Sequence, residues 1–219
     1  MTQYDAGWAA REEAKRAYMA EHGLYSDADE HSSCGVGLVV AIDGSRSRTV
    51  VQNGIDALKA VWHRGAVDAD GKTGDGAGIH VQIPHKFFGA QIKRTGHEPR
   101  DGELLAVGQV FLPRTDFGAQ ETCRTIVETE VLRMGYYIYG WRHVPVDVTC
   151  LGDKANATRP EIEQILISNS KGVDEETFER ELYVIRRRIE KAAAAAGISG
   201  LYLASLSCRS IIYKGMMLA

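Results

Sequence analysis

A thiol flanked by small residues is the first place in this 219-residue chain where chemistry could sit. The stretch Ser32-Ser33-Cys34-Gly35-Val36-Gly37 sets Cys34 ahead of a run in which Val36, Leu38, Val40 and Ile42 alternate. Alternation of that period predicts a β-strand over 36–42, with the thiol at its open start. Gly35 leaves room for another molecule's backbone or side chain to approach. An accessible thiolate there is a nucleophile. A buried thiol there is only a small hydrophobe. The residues alone leave both readings open.

A second group follows. His63-Arg64-Gly65 leads into a glycine-rich loop, Asp70-Gly-Lys-Thr-Gly-Asp-Gly-Ala-Gly78. Gly71-Lys72-Thr73 resembles the end of a phosphate loop, but the required upstream glycine is Ala66 and the next segment reads as strand. The dinucleotide pattern G-x-G-x-x-G fails too, at Ile79 and at Val81. What remains is a tight turn with its backbone close to something, either a neighbouring element or a ligand. His80 and His85 are five apart and share no helical face, which argues against a zinc pair. Arg186-Arg187-Arg188 reads as a solvated helix face with one or two ion pairs. Cysteines at 34, 123, 150 and 208 form no C-x-x-C pair, hence no zinc, iron–sulfur or disulfide framework. Cys123 and Cys208 fall on element patterns and read as core thiols. With no secretory signal, scattered thiols point to the reducing cytoplasm.

The elements around these residues come from periodicity. Val51, Ile55, Leu58 and Trp62 share one helical face. Ile79, Val81 and Ile83 alternate as a strand that Pro84 ends. His85–Lys93 reads as a short helix and Leu104–Leu112 as a strand apolar on both faces. Cys123, Val127, Val131 and Met134 mark a helix, and Tyr136–Val148 is strand-like. Asn156–Pro160 reads as a polar connection, with Pro160 disfavouring helix at Arg159. Glu163–Ser168 is a strand. Phe178, Leu182, Ile185 and Ile189 mark a helix with Asp174 as N-cap and Gly197 as stop. Leu201–Tyr213 is strand-rich with a bend near Cys208. Helices and strands without a strict β-α-β period predict a layered α+β domain. A net charge of -3 gives no reason to expect nucleic acid as partner. No stretch approaches the ~20 apolar residues of a membrane span. Residues 1–33 differ: a short polar helix over Ala9–Ala20, then the polar run Ser26–Ser33. Lys-Gly-Met-Met-Leu-Ala219 carries no capping signal, so the natural chain is expected to continue.

Taken together, Cys34-Gly-Val-Gly, Trp62-His-Arg-Gly-Ala-Val-Asp-Ala-Asp70 and Thr73-Gly-Asp-Gly-Ala-Gly-Ile79 resemble the class II glutamine amidotransferase domain of the bacterial glutamate synthase large subunit. The resemblance continues through Gly108–Pro113, Gly135–Trp141, Ala155–Pro160 and Ser210–Gly215. It covers nearly everything after residue 33.

The resemblance implies an N-terminal-nucleophile hydrolase fold, a four-layer αββα sandwich incomplete at its C-terminal end. It divides the chain into a leader, residues 1–33, and a partial amidotransferase domain, residues 34–219. It implies that the leader is removed and that Cys34 attacks the side-chain amide of L-glutamine, yielding glutamate and ammonia for 2-oxoglutarate. Arg64, Gly65 and Asp75 would support the geometry around the nucleophile. No cofactor or metal is implied for this segment. FMN, an iron–sulfur cluster, the remaining synthase domains and a small NADPH-oxidising subunit are implied for the full-length enzyme, with neither nucleic acid nor membrane as partner. The family's substrate-clamping His-Gln-Arg-Tyr-Ser-Thr-Asn run and its oxyanion Asn-Gly-Glu run do not occur in these residues, so the 219-residue chain alone is expected to be inactive. Two other readings stay open: a catalytically incomplete domain with a structural or partner role, and an amidohydrolase of the same fold with another substrate.

Overall fold

The structure, a computed structural model, describes residues 7–23, 26, 35–61, 67–100 and 102–216. The chain divides into two compact units, Met1–Cys34 and Gly35–Ala219. The first holds helix α1, Trp8–His22. Its alanines and long-chain residues are strong helix formers. The Tyr18 ring stacks on His22 with centroids 4.3 Å apart. No helix among the described residues is long and apolar enough to cross a membrane.

In the second unit the order is α2 (Arg48–Ala60), β1 (Ala77–Gln82), α3 (His85–Arg94), β2 (Leu105–Leu112), α4 (Phe117–Arg133), β3 (Tyr137–His143), α5 (Asp153–Thr158), β4 (Glu161–Ser168), α6 (Glu175–Ala195), β5 (Tyr202–Ser207) and β6 (Ser210–Gly215). Side-chain caps start several helices. Ser47 accepts from the Val50 amide, Asp116 from Ala119 and Asp174 from Thr177. Each meets one of the unpaired amides of a helix's first turn.

Four strands form an antiparallel sheet in the order β3-β4-β2-β5, and β1 pairs antiparallel with β6 in a second sheet. Central β2 is buried at every position but Phe111, as its unbroken apolar run requires. On one face of the larger sheet, Cys123, Val127 and Val131 of α4 and Phe178, Leu182, Ile185 and Ile189 of α6 pack against Ala106, Val110, Ile165 and Ile167. On the other face, Leu105, Val107 and Leu166 meet Phe88 and Ile92 of α3 and Ile211 of β6. Helix α2 lies over β1, where a Cβ on Gly54 would sit 3.7 Å from Ile79 Cδ1. At Cys208–Arg209 the chain passes from one sheet to the other. Ser207 Oγ accepts from the Arg209 and Ser210 amides across that bend, at 3.0 and 3.2 Å.

Three expectations need correction. Residues 36–42 form no strand, and Val36, Leu38, Val40 and Ile42 are exposed by 89, 87, 67 and 104%. Alternation marks a segment able to pair, but a ladder needs a neighbour, and no described strand takes this segment up. The strand expected to reach Val148 stops at His143. Pro145 cannot donate to a ladder. The supposed polar connection 156–160 is partly helix, because α5 runs from Asp153 to Thr158. It ends as Pro160 requires, with Arg159 extended at ψ 139°.

Candidate active site

Of the four residues expected at the site, Cys34, Arg64 and Gly65 lie outside the described residues, as does Trp62. Asp75 is described. It is exposed at the end of the glycine-rich loop, between buried Gly74 and Gly76, whose φ of +119° only glycine adopts without strain. Gly76 then feeds directly into β1.

The loop before Asp75 is closed on itself. Val67 bridges Gly74, and the Asp68 amide donates to the Thr73 carbonyl at 2.9 Å. Asp70 sits at the centre. Its carboxylate accepts from the amides of Lys72 and Thr73 at 2.9 and 2.7 Å, and from the Thr73 hydroxyl at 2.5 Å. The Thr73 hydroxyl, then its amide and that of Lys72, hold the Asp70 carboxyl down at about 2, below its ordinary range. Gly71 turns the chain at φ +70°.

This closed loop rests on the start of α5. Lys154 Nζ donates to both Asp68 oxygens, at 2.9 and 2.7 Å, and lowers that carboxyl's pKa. The Ala155 amide reaches the Thr73 hydroxyl oxygen at 3.4 Å. Buried Gly152 backs onto the loop so closely that a Cβ would lie 2.1 Å from Asp70 Oδ2 and 2.3 Å from Thr73 Oγ1. Of the two readings of the glycine loop, a turn packed on a neighbour is therefore what Asp68, Asp70 and Thr73 do. Sequence reasoning missed Gly152 and Lys154, having read the next residues as a connection. The available signal was Gly152-Asp153, a small residue ahead of an acid that starts a helix.

Among the described residues, two other thiols are held in the core. Cys123 is buried in the core, and burial raises its thiol pKa. Burial, then the Glu179 carboxylate 3.1 Å away, pushes the Cys208 thiol up to about 12. Both are structural thiols, and a proton held that tightly leaves no thiolate at neutral pH. Cys150 is exposed on the short turn Val148–Cys150. His80 lies 2.6 Å from Ser210 Oγ across the β1–β6 pair, while His85 opens α3. Among the described residues no group of His, Cys, Asp or Glu is arranged to hold a metal ion. Arg186 and Arg187 both pair with Glu190, as expected of a solvated helix face.

Comparison with known proteins gives the chain its relatives. The family described as glutamine amidotransferases class-II matches residues 34–219. The large chain of the NADPH glutamate synthase of Azospirillum brasilense is 63% identical over 206 residues, 94% of this chain and 14% of that protein. The corresponding large chain of Bacillus subtilis is 36% identical over 200 residues, 89% of this chain and 13% of that one. The chloroplastic ferredoxin-dependent glutamate synthase of Spinacia oleracea is 38% identical over 189 residues, 86% of this chain and 12% of that protein. The chain thus spans 12–14% of the length of these relatives.

Proposed function

The chain belongs to the class-II glutamine amidotransferases, and on that premise we propose that residues 34–219 serve as the glutaminase part of a glutamate synthase, with Cys34 as nucleophile. The observation that carries this reading is where the family match starts, at Cys34 itself. A leader of residues 1–33 would then be removed so that Cys34 becomes the first residue. The chemistry gives a reason. A free α-amine, with a pKa of about 7.7–8.0, can take the thiol proton near neutral pH, whereas an amide nitrogen cannot.

In this reading the Cys34 sulfur adds to the side-chain amide carbon of glutamine. The carbon–nitrogen bond breaks, ammonia leaves with the transferred proton, and a γ-glutamyl thioester remains. Water then adds to the thioester carbon, the carbon–sulfur bond breaks, and glutamate departs with the thiol restored. Arg64, Gly65 and Asp75 hold the geometry around the sulfur. The fold is the N-terminal-nucleophile hydrolase sandwich. Its support is the pair of antiparallel sheets, with α4 and α6 against one and α2 over the other.

The ammonia would go to 2-oxoglutarate on later domains of a longer polypeptide, with electrons from a small NADPH-oxidising subunit, in the cytoplasm. FMN and an iron–sulfur cluster belong to those later domains. Cys123 and Cys208 are locked in the core and Cys150 stands apart on its turn. Thiols so placed do not fit a cluster, and no step here runs through either group.

The test is Cys34→Ala in the full-length protein. Glutamine-dependent glutamate formation should vanish while formation from added ammonia persists, because the thiol makes ammonia and does not consume it. Equal loss of both activities would make Cys34 a structural residue and end this reading.

A further inference from the structure

We propose that Arg142 of β3 and Arg94 of α3 form a binding site for a small oxyanion, a carboxylate or a phosphate, and that buried glutamines orient it. Gln109, Gln164 and Arg142 stand side by side across β2, β4 and β3. They face α3 and β6, where Gln91 and Tyr213 complete the group. Gln164 and Gln109 are exposed by only 0 and 2%. Buried amides cost free energy unless they are paired, and this row is paired around a guanidinium.

Arg142 Nη1 donates to Gln164 Oε1 at 2.8 Å. Gln164 Nε2 in turn donates to Gln109 Oε1 at 2.8 Å and to the Tyr213 hydroxyl at 3.3 Å. An arginine only donates, so it fixes which way each amide points. Arg142 Nε donates to Gln91 Oε1 at 3.3 Å, and its guanidinium carbon lies 5.1 Å from the centre of the Phe87 ring. Arg94 Nη1 donates to the same Gln91 oxygen at 3.4 Å. Two guanidiniums thus converge on one neutral oxygen. Among the described residues neither pairs with a carboxylate. Elsewhere the chain's arginines follow another rule: Arg124, Arg133, Arg180, Arg186 and Arg209 each pair with a glutamate. Like charges brought together repel, and an anion between them relieves it. Arg142 Nη2, with Nε and Nη2 of Arg94, is left without a protein acceptor among the described residues. Such donors suit the oxygens of a carboxylate or phosphate, which guanidinium groups bind in pairs. Arg94 and Phe87 are exposed and Arg142 is half-buried, so the group opens to solvent. A solvated arginine needs no second layer of hydrogen bonds behind it, whereas a binding group is preorganised by one.

The experiment uses the full-length protein and phenylglyoxal, which modifies arginine, with the modified positions mapped by mass. Inorganic phosphate and malonate serve as the two probes. Either one binding should slow modification of Arg142 and Arg94 about tenfold at roughly ten times its Kd. Arg180 and Arg186 on α6, each already paired with a glutamate, should change less than about twofold. Sodium chloride at the same ionic strength should protect none selectively, since screening acts on exposed charges alike. Arg94→Gln should weaken phosphate protection of Arg142 about tenfold, because a charge-assisted contact is lost. Gln164→Leu should weaken it about threefold or more, with both charges kept, because the guanidinium loses its support. Equal slowing of all these arginines, or none at Arg142 with either probe, overturns the site. An Arg142 that resists the reagent without added anion overturns it too, since a place open to phosphate is open to the reagent. Unchanged protection in Arg94→Gln removes Arg94 from the site and overturns the pairing. Unchanged protection in Gln164→Leu overturns the orienting role. Should Gln164→Leu fail to fold, Arg94→Gln, at an exposed position, decides.

Discussion

Asp70 carries a carboxylate whose environment can be read from three neighbours, the Thr73 hydroxyl and the amides of Thr73 and Lys72. These donors favour its charged form and lower its pKa from an ordinary 3.8 to about 2. Because the folded value is the lower one, the loop's stabilisation is whole above the ordinary value and is lost as pH falls through about 2. Amide exchange at Lys72 and Thr73 should accordingly keep its protection from neutral pH down to about pH 4 and lose it only below. In Asp70→Asn the protection should be weak at every pH. Loss of protection near pH 6 in the unmodified chain would contradict this account of the loop. The loop itself could be read in the sequence, since four glycines in eight residues demand a tight path. Its partner could not, because Gly152 and Lys154 meet it only through the tertiary fold. Cys123 and Cys208 were readable as core thiols, each lying on an apolar pattern. The Glu179 carboxylate that holds the Cys208 proton was not.

Helix α6 follows its sequence closely. Phe178, Leu182, Ile185 and Ile189 are all buried, Asp174 caps the first turn, and Gly197 turns away at φ +70°. A strong 3.6-residue stripe facing a sheet leaves little freedom. Leu182→Ala should therefore destabilise the domain by about 2–5 kcal/mol. Tyr183→Ala, one position along at 63% exposure, should change stability by less than about 0.5 kcal/mol. Denaturant unfolding measures both, and similar costs for the two would show that the stripe is not the buried face. Strands are less certain, because a strand is a property of a pair. Residues 105–112 and 161–168 became central strands because each finds partners for its long apolar run. Residues 36–42 carry as clean an alternation, yet remain exposed and unladdered. Local pattern reports the capacity to pair, not the presence of a neighbour. Helix α5 was missed for the opposite reason. Six residues are too few to show a period.

For the molecule as a whole, the family match places residues 34–219 among the class-II glutamine amidotransferases, and under the proposed glutaminase reading the thiol is useful only once its own amine is free. Residue type and setting single out Cys34 in the sequence, whereas Arg64 and Asp75 enter only through the family resemblance; the packing of the Val67–Gly76 loop on the start of α5 shows only in the structure. The reading makes one demand on the intact protein that no structural role would make. Full-length protein purified from its own cell should be treated with a diazoketone analogue of glutamine, digested and mapped by mass. The label should appear on a peptide whose first residue is Cys34, with none on exposed Cys150. An active protein that still begins at Met1, or a label on Cys150 with Cys34 untouched, would contradict the assignment of Cys34 as the N-terminal nucleophile.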